Sequence, residues 1–182
     1  MTLSPIFITP AGFANAGVFV PSPNFDDRPQ SEVALIVIHN ISLPPQQYGG
    51  NGIVELFTNQ LNPAEHPYYA EIQHLRVSSH FLIRRNGHLI QFASCLQRAW
   101  HAGQSQWRGR ERCNDFSVGV ELEGSDVAPF EPTQYATLKR LIAGLQLAYP
   151  IADIVGHSDI APNRKTDPGP YFNWAEIEEF KS

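Results

Sequence analysis

The sequence predicts an α/β (α+β) fold in which a mixed central β-sheet is flanked by helices. Segments with strand patterns are interspersed with segments of helical periodicity, which is typical of a sheet covered by helices. Residues 33–38 form a continuous aliphatic and β-branched run, the pattern of a strand buried on both faces. The length of 182 residues and the 42% of hydrophobic residues are sufficient for one domain, residues 1–182, with one core.

The amino-terminal half is predicted to contain an arm, strands and short helices. Residues 1–19 belong to an extended arm rich in Pro and Asn, and a short strand is expected near 17–20. After the 33–38 strand, residues 53–59 are a short helix candidate and residues 62–74 a loop with a helical turn. The segments 77–84 and 88–92 read as two strands of a hairpin, because Asn86-Gly87 between them is a strong turn signal.

The carboxyl-terminal half begins with a long loop at 99–115. Residues 116–123 alternate as a strand with one apolar face and one polar face. The amphipathic segment 133–148 predicts a helix that ends before Pro150. A short strand at 153–156, an irregular loop at 157–170 and a last helix at 174–180 follow.

Composition excludes several functional classes. The net charge of -5 is the opposite of what a nucleic-acid backbone attracts, so no nucleic-acid partner is expected. The apolar runs are far shorter than the roughly 20 residues of a membrane span, and the amino terminus lacks the basic and apolar regions of a secretory signal. Cys95 and Cys113 allow one bridge, but two free thiols in a reducing cytoplasm is the simpler interpretation.

Three polar residues follow predicted strands, where α/β sheets place their sites. His39 follows the 33–38 strand, His157 follows the 153–156 strand, and Asp167 comes ten residues later. Two histidines and one carboxylate with an open fourth position form the layout of a catalytic zinc site. Their spacing alone is weak evidence, because no short local metal motif such as HExxH is present. Each histidine also has an alternative as a surface or capped residue at a strand end, and Asp167, before Pro168, as a turn residue.

Two further charged residues are candidates for proton transfer and charge stabilisation. Glu121 on the polar face of its strand is a candidate general base, with an ion pair to an arginine of 108–112 as the alternative. Lys165, two residues before Asp167, is placed to stabilise a developing oxyanion, with a solvated loop lysine as the alternative.

The 99–115 loop combines aromatic residues with arginines, a combination that suits recognition of a sugar face and a carboxylate. Trp100 and Arg112 lie in this loop, and Arg76 adds a guanidinium just before a predicted strand. The alternative is a surface loop with ion pairs to Glu111 and Asp115.

Seven ordered blocks together resemble the zinc-dependent N-acetylmuramoyl-L-alanine amidases, the amidase-2 or peptidoglycan-recognition-protein family. The likeness is greatest to the 1,6-anhydro-N-acetylmuramoyl-L-alanine amidases of the AmpD type, and it extends from about residue 20 to residue 180. The blocks are 37–45 (VIHNISLPP), 74–79 (HLRVSS), 98–103 (RAWHAG), 109–115 (GRERCND), 118–124 (VGVELEG), 156–162 (GHSDIAP) and 164–170 (RKTDPGP).

The resemblance implies roles for nine residues and a reaction. It implies one Zn²⁺ per chain and hydrolysis of the amide between (1,6-anhydro-)N-acetylmuramic acid and L-alanine in cell-wall muropeptides. It also implies a cytoplasmic enzyme of peptidoglycan recycling, which limits β-lactamase expression where the host has that circuit; a monomer is expected. No membrane partner is expected. The ligands would be His39, His157 and Asp167, the catalytic residues Glu121 and Lys165, and the substrate-binding residues Asn40, Arg76, Trp100 and Arg112.

Three alternatives to this function stay open at the level of sequence. An amidase of the same family could act on intact peptidoglycan, although the absence of a signal peptide argues against export. A binding-only peptidoglycan-recognition module would usually lack one of the ligands that are present here. A purely structural zinc would require a closed site with four protein ligands, whereas the sequence offers three.

Overall fold

A six-stranded mixed sheet forms the centre of the protein. The structure, a computed structural model, describes residues 5–181. The strands are β1 (Val18–Phe19), β2 (Phe25–Asp27), β3 (Leu35–Ile41), β4 (Phe81–Ile83), β5 (Leu89–Gln91), β6 (Gln97–Ala99), β7 (Gln106–Trp107), β8 (Arg110–Glu111), β9 (Ser117–Glu123) and β10 (Asp153–Gly156). The central sheet has the order β1-β5-β4-β9-β3-β10, while β2 pairs with β6 and β7 pairs with β8. All neighbours in the central sheet are parallel except β4 and β5, so the predicted mixed sheet is confirmed.

Four α-helices and two 3₁₀ helices accompany the sheet within residues 5–181. They are α1 (Gly52–Phe57), α2 (Pro67–Ile72), α3 (Pro132–Ala148) and α4 (His157–Ile160), with 3₁₀ helices at Cys113–Asp115 and Trp174–Phe180. The long helix α3 begins with a proline at its first position, where the missing N–H costs nothing. At its start, the Gln134 side chain accepts from the Glu131 N–H, which completes a capping box.

The two faces of the sheet carry different side chains because residues alternate along each strand. Ile36 and Ile38 of β3, with Val118 and Val120 of β9, face the main core, which α3 and the last 3₁₀ helix cover. The intervening residues of both strands lie on the opposite face, which carries His39. All seven residues of β9 are buried. The predicted polar face of this strand is therefore enclosed by loops instead of facing solvent.

Several predicted boundaries differ from the structure for identifiable reasons. The strand predicted at 77–84 is limited to β4, because the Ser78 N–H donates to Trp100 O and its hydroxyl donates to Asn24 O, outside the sheet. The strand predicted at 33–38 extends to Ile41, so His39 lies within β3 and not after it. The 99–115 loop contains the short hairpin β7–β8 and a 3₁₀ turn.

The arm and the cysteines agree with the sequence-based expectations. β1 adds to the sheet beside β5, as predicted for 17–20, whereas residues 1–4 of the arm lie outside the described part of the chain. Cys95 and Cys113 are free and buried. Within residues 5–181, no helix has the length and apolar character that a membrane crossing requires.

Candidate active site

Three side chains from distant parts of the chain converge near the carboxyl-terminal ends of the parallel strands. His39 lies in β3, His157 begins α4 directly after β10, and Asp167 lies in the loop that follows α4. The Nδ1 atoms of His39 and His157 are 3.0 Å apart, and Asp167 Oδ2 is 3.0 Å from each. The structure therefore brings together the three residues to which the resemblance assigns a metal.

Local hydrogen bonds fix the two segments that deliver His157 and Asp167. The Gly156 N–H donates to Asp159 Oδ2 at 2.7 Å, which caps the single turn of α4. The Ser158 N–H donates to the Asp167 carbonyl at 2.8 Å, so the following loop returns against the start of α4. The sequence pattern does not predict this short helix, because the prolines that follow it indicate an irregular loop.

The geometry of the triad fits a metal ion. Three donor atoms about 3 Å apart can all lie at about 2.0–2.1 Å from one common point, the bond length of zinc to imidazole nitrogen and carboxylate oxygen. Two imidazole nitrogens and one carboxylate oxygen form a donor set that zinc accepts. Among residues 5–181, the group holds three possible protein ligands. Three protein ligands fit a catalytic site with an open position better than a closed structural site, which has four.

The protonation states of the triad suit metal ligands. Burial lowers the pKa of His39 to about 4, although the hydrogen bond to Asp167 opposes this shift. Burial alone would raise the pKa of Asp167, but hydrogen bonds with His157 and His39 outweigh it and hold that pKa below its usual range. At neutral pH His39 is therefore an uncharged imidazole and Asp167 a carboxylate, the forms in which these side chains bind metals.

Both imidazoles are held from behind by the segment 101–102. His39 Nε2 lies 2.9 Å from His101 Nδ1, and His157 Nε2 lies 3.0 Å from the carbonyl oxygen of Ala102. Arg164 donates to the same carbonyl at 2.7 Å and to Gln104 O at 2.5 Å. Outer contacts of this kind orient metal-binding histidines and set which ring nitrogen carries the proton.

Glu121 lies next to the triad on the neighbouring strand. It stands opposite His39 in the parallel register of β3 and β9, and its side chain is buried. Glu121 Oε2 has no hydrogen-bond partner among the described residues. Because buried acceptors are normally paired, this oxygen marks a place for a polar group such as water. The ion pair with an arginine of 108–112, the alternative at the sequence level, is absent from the described contacts, since Arg108, Arg110 and Arg112 pair elsewhere.

The pKa of Glu121 is shifted in the direction that proton transfer requires. Burial raises this pKa well above its usual range, the negative charge of Asp167 raises it further, and the positive charge of Lys165 opposes both. A carboxyl group with a raised pKa takes up and releases a proton near neutral pH more readily than an ordinary glutamate.

A cavity of about 360 Å³ joins these groups and has two unlike walls. Its polar wall contains His39, Asn40, His101, Glu121, His157, Lys165 and Asp167. Its apolar wall comes mainly from α1, α2 and the segment after α2, with Leu56, Phe57, Tyr68, Ile72, Leu75 and Val77. Polar groups that converge beside an apolar wall are typical of a small-molecule site.

The largest cavity described lies elsewhere and is not the better candidate. It has about 790 Å³ and lies between α3 and the last 3₁₀ helix. Its lining includes the ion pair between Lys139 and Glu176, but none of the histidines or the buried glutamate. Since chemistry requires convergent reactive groups, we place the site at the smaller cavity.

Asn40 contacts the loops around the cavity instead of pointing freely into it. Its side-chain nitrogen donates to Asp126 Oδ1 at 2.7 Å and to Pro168 O at 3.0 Å. Pro168 directly follows the ligand Asp167 in sequence, so Asn40 ties this loop to β3.

The other three predicted substrate-binding residues lie outside the lining of the 360 Å³ cavity. Arg76 is exposed and donates to Gln73 O and Leu75 O. The Trp100 ring N–H donates to Asp26 Oδ1 at 3.1 Å. Arg112 is exposed, has a left-handed backbone with φ 60°, and lies 3.4 Å from Asp115. A role in substrate binding remains a prediction for these residues.

Sequence reasoning misses the residues that support the ligands. In the sequence His101 is only one member of a long loop, and nothing there singles out Ser117, Asn114 or Arg164. One signal is available in Gly119, because a glycine inside a buried strand often marks a close approach by another group. A Cβ atom at Gly119 would lie 2.5 Å from Cγ of His101, so the imidazole ring packs directly on this glycine.

The sequence matches a family profile over most of its length. Residues 29–170 match the profile of N-acetylmuramoyl-L-alanine amidase, Amidase_2. The chain is 54% identical over 161 residues to the 1,6-anhydro-N-acetylmuramyl-L-alanine amidase AmpD of Escherichia coli K12, and the match covers 87% of this chain and 88% of that protein. The AmpD protein of Haemophilus influenzae is 50% identical over 159 residues, with 85% and 86% covered.

Solved structures of amidases and of a peptidoglycan recognition protein match the fold of this chain. A crystal structure of a selenomethionine AmpD derivative matches with a TM-score of 0.91 and 50% identity, covering 94% of this chain and 98% of that one. The E. coli amidase AmiD, in complex with the substrate anhydro-N-acetylmuramic acid-L-Ala-D-γ-Glu-L-Lys, matches with a TM-score of 0.59 and 31% identity over 83% of this chain and 58% of that one. The Drosophila peptidoglycan recognition protein SD, at 18% identity, a TM-score of 0.59 and 91% and 89% coverage, shares the fold.

Proposed function

The chain belongs to the N-acetylmuramoyl-L-alanine amidase family, and we propose on this basis how its residues carry out the reaction. It is a hydrolase of the amide bond between anhydro-N-acetylmuramic acid and L-alanine in muropeptides, which serves peptidoglycan recycling. The amide C–N bond is broken, water supplies the oxygen of the new lactyl carboxylate, and the alanine amine leaves with a proton.

We propose one zinc ion per chain, held by His39 Nδ1, His157 Nδ1 and Asp167 Oδ2. The observation that supports it is the mutual distance of 3.0 Å between these three atoms. When bound, zinc would supply Lewis-acid chemistry, which polarises the scissile carbonyl and makes water more acidic.

Glu121 is the general base and then the general acid in this proposal. Its unpartnered Oε2 takes a proton from the attacking water, and the water oxygen adds to the lactyl carbonyl carbon. The carboxyl group then gives the proton to the alanine nitrogen as the C–N bond breaks. The raised pKa of Glu121 serves both steps, since the same group must accept and return one proton.

Lys165 stabilises the negative charge that develops on the carbonyl oxygen. It lines the cavity with Glu121, and it lies close enough to oppose the upward shift in the pKa of that carboxyl group. Removal of one donor from a developing oxyanion typically costs about 10²–10³ in rate. Asn40 at the cavity, together with Arg76, Trp100 and Arg112 farther out, are proposed to contact the sugar and the stem peptide.

The remaining proposals concern the setting of the enzyme. We propose that residues 1–182 act as one monomeric domain, with 1–19 as an arm, in the cytoplasm, and that an anhydromuropeptide is its partner. Neither nucleic acid nor membrane is proposed as a partner. Control of β-lactamase expression follows only if the host couples muropeptide levels to that gene.

One paired experiment tests this function. Purified protein is analysed for zinc and is assayed for release of L-alanine-linked peptides from an anhydromuropeptide, before and after removal of metal by a chelator. We expect one zinc per chain, cleavage that stops on chelation, and recovery when zinc returns. Activity that survives exhaustive chelation would contradict the metal mechanism, and faster cleavage of intact sacculi than of anhydromuropeptide would favour action on whole peptidoglycan.

A further inference from the structure

A hydrogen-bonded series of three side chains, His39, His101 and Ser117, leads away from the candidate metal site. His39 Nε2 lies 2.9 Å from His101 Nδ1, and His101 Nε2 lies 3.1 Å from the hydroxyl oxygen of Ser117. The rings of His39 and His101 meet edge to face at 88°, with 5.0 Å between their centres. His101 therefore connects a proposed ligand to a buried residue at the beginning of β9.

Which group donates in each of these hydrogen bonds follows from the atom of His39 that would bind the metal. His39 faces His157 and Asp167 with Nδ1, so that nitrogen must present its lone pair to a metal. A neutral imidazole carries its single proton on the other nitrogen, which for His39 is Nε2. That N–H needs an acceptor, and His101 Nδ1 can accept only if the His101 proton is on Nε2, from which it is donated to Ser117 Oγ.

We propose that His101 is a positioning residue, which holds His39 in the Nε2–H tautomer and thereby aims His39 Nδ1 at the metal, with Ser117 fixing the tautomer of His101 in turn. The proposal rests on the metal site proposed above. It assigns His101 no contact with the substrate and no part in proton transfer to or from it.

His101 is itself held in place from two sides. Its ring lies against Gly119, where a Cβ atom would come within 2.5–2.8 Å of three ring atoms. On the backbone side, Asn114 Oδ1 accepts from the N–H groups of His101 and Ala102 at 3.2 Å and 2.8 Å. A support so closely fixed is what a positioning residue requires, because a ring free to turn could not dictate the tautomer of its neighbour.

The test compares two substitutions of similar shape that differ in the acceptor. In His101→Asn the amide oxygen can stand where Nδ1 stood, whereas His101→Leu offers no acceptor. Zinc affinity is measured on each purified protein by competition with a chromophoric chelator. We expect His101→Leu to bind zinc about 10–100-fold more weakly than wild type, the usual cost of losing an outer-shell partner, and His101→Asn to recover most of that loss.

Ser117→Ala and a histidine remote from the site complete the series. Ser117→Ala removes the hydroxyl that lies next to His101 Nε2, and it should weaken zinc binding less than His101→Leu does. His88→Asn, on the exposed turn between β4 and β5, is the control that should leave the zinc affinity unchanged. Unfolding curves of the zinc-free proteins show whether a variant has lost its fold instead of its ligand geometry.

Nitrogen NMR of wild-type protein labelled in histidine gives an independent answer that needs no variant. With zinc bound, protons on Nε2 of both His39 and His101 are expected. A proton on His101 Nδ1, or equal zinc affinities for the Leu and Asn variants, would overturn the role of His101. A wild-type chain that binds no zinc would instead contradict the proposed metal site itself.

Discussion

His39 and Glu121 stand directly opposite each other in two neighbouring parallel strands. The parallel pairing of β3 and β9 thus places a proposed metal ligand and the proposed general base on one face of the sheet. Because both residues lie at buried positions of two paired strands, their separation is set by the sheet itself and not by a loop. Sites built on strands hold their geometry more precisely than sites built on loops.

Replacement of the proposed base should separate metal binding from turnover. Glu121→Gln keeps the shape of the side chain but cannot accept the proton, so we expect hydrolysis of anhydromuropeptide to fall by about 10²–10⁴. Zinc content should stay at the wild-type level. Glu178→Gln, on the exposed side of the last 3₁₀ helix, is the matched control. Near-normal hydrolysis by Glu121→Gln would remove this residue from the mechanism.

Loss of a proposed ligand should remove the metal together with the activity. His157→Ala removes one of three donor atoms and leaves Ala102 O without its imidazole partner. We expect the purified variant to contain little zinc and to show no hydrolysis, and His88→Ala to match wild type in both. Elemental analysis after gel filtration measures the zinc, and a stoichiometric content in His157→Ala would contradict its role as a ligand.

Gly119 is expected to be intolerant of a methyl group. In Gly119→Ala the new Cβ would lie 2.5 Å from His101 Cγ, so the ring or the strand must shift. Overpacking of this kind typically lowers the free energy of unfolding by about 1–3 kcal/mol. Gly50→Ala is the control, because no heavy atom outside residues 49–51 lies within 4 Å of the place that its new methyl carbon would occupy. Urea unfolding measures the free energy of unfolding of both variants. Equal values for Gly119→Ala and Gly50→Ala would refute the close contact between Gly119 and His101.

Stability should fall with acidification in a way that depends on His80. Burial, and then the charge of Arg28, lowers the pKa of His80 to about 3 in the folded state, against 6.5 for the ordinary residue. Below pH 6.5 the histidine of the unfolded chain is protonated before that of the folded chain. The contribution of His80 to the free energy of unfolding is therefore complete above pH 6.5 and is lost as the pH falls toward 3. The slope is about 1.4 kcal/mol per pH unit for one proton.

The measurement compares urea unfolding of wild type and His80→Gln at a series of pH values between about pH 8 and about pH 4. Groups shared by both proteins contribute equally, so the difference isolates His80. We expect the variant to be less stable at neutral pH and to lose stability less steeply on acidification. Parallel curves for the two proteins would show that His80 is protonated at the same pH in the folded and unfolded chains.

The two thiols should be inert in the native protein. Burial raises the pKa of Cys95 to about 12 and also raises the pKa of Cys113, while the thiolate is the reactive form. A chromogenic disulfide reagent at neutral pH should therefore label neither thiol in the folded chain and both in denaturant. Rapid labelling of one thiol in the native state would show that its surroundings open.

Elements with a strong local pattern could be predicted from the sequence. The helix predicted at 133–148 is α3, because its apolar periodicity and the prolines at 132 and 150 mark it, and the strand predicted at 153–156 is β10. Ala148 belongs to the predicted apolar stripe but is exposed, although Leu145, three residues before it on the same stripe, is buried in the core. Patterns within one element are local, whereas burial of its final turn depends on what packs there.

In the site, too, the sequence predicts individual residues but not the tertiary contacts between them. His39, His157 and Asp167 are identified through the resemblance of whole blocks and not through spacing, and the structure brings them together. The contact of His101 with His39 cannot be derived from either, because it depends on the tertiary position of the loop over Gly119. The catalytic and substrate-binding roles of the remaining residues stay predictions for the experiments above.

The separation of the three proposed ligands along the chain also governs when the site can exist. His39 and Asp167 are 128 residues apart, and the full set of three donors requires β3 and β10 to be paired. At a synthesis rate of about 5–20 residues per second, Asp167 leaves the ribosome on the order of 10 s after His39. The complete set of proposed ligands therefore cannot assemble early in synthesis, because His39 waits for both β10 and Asp167.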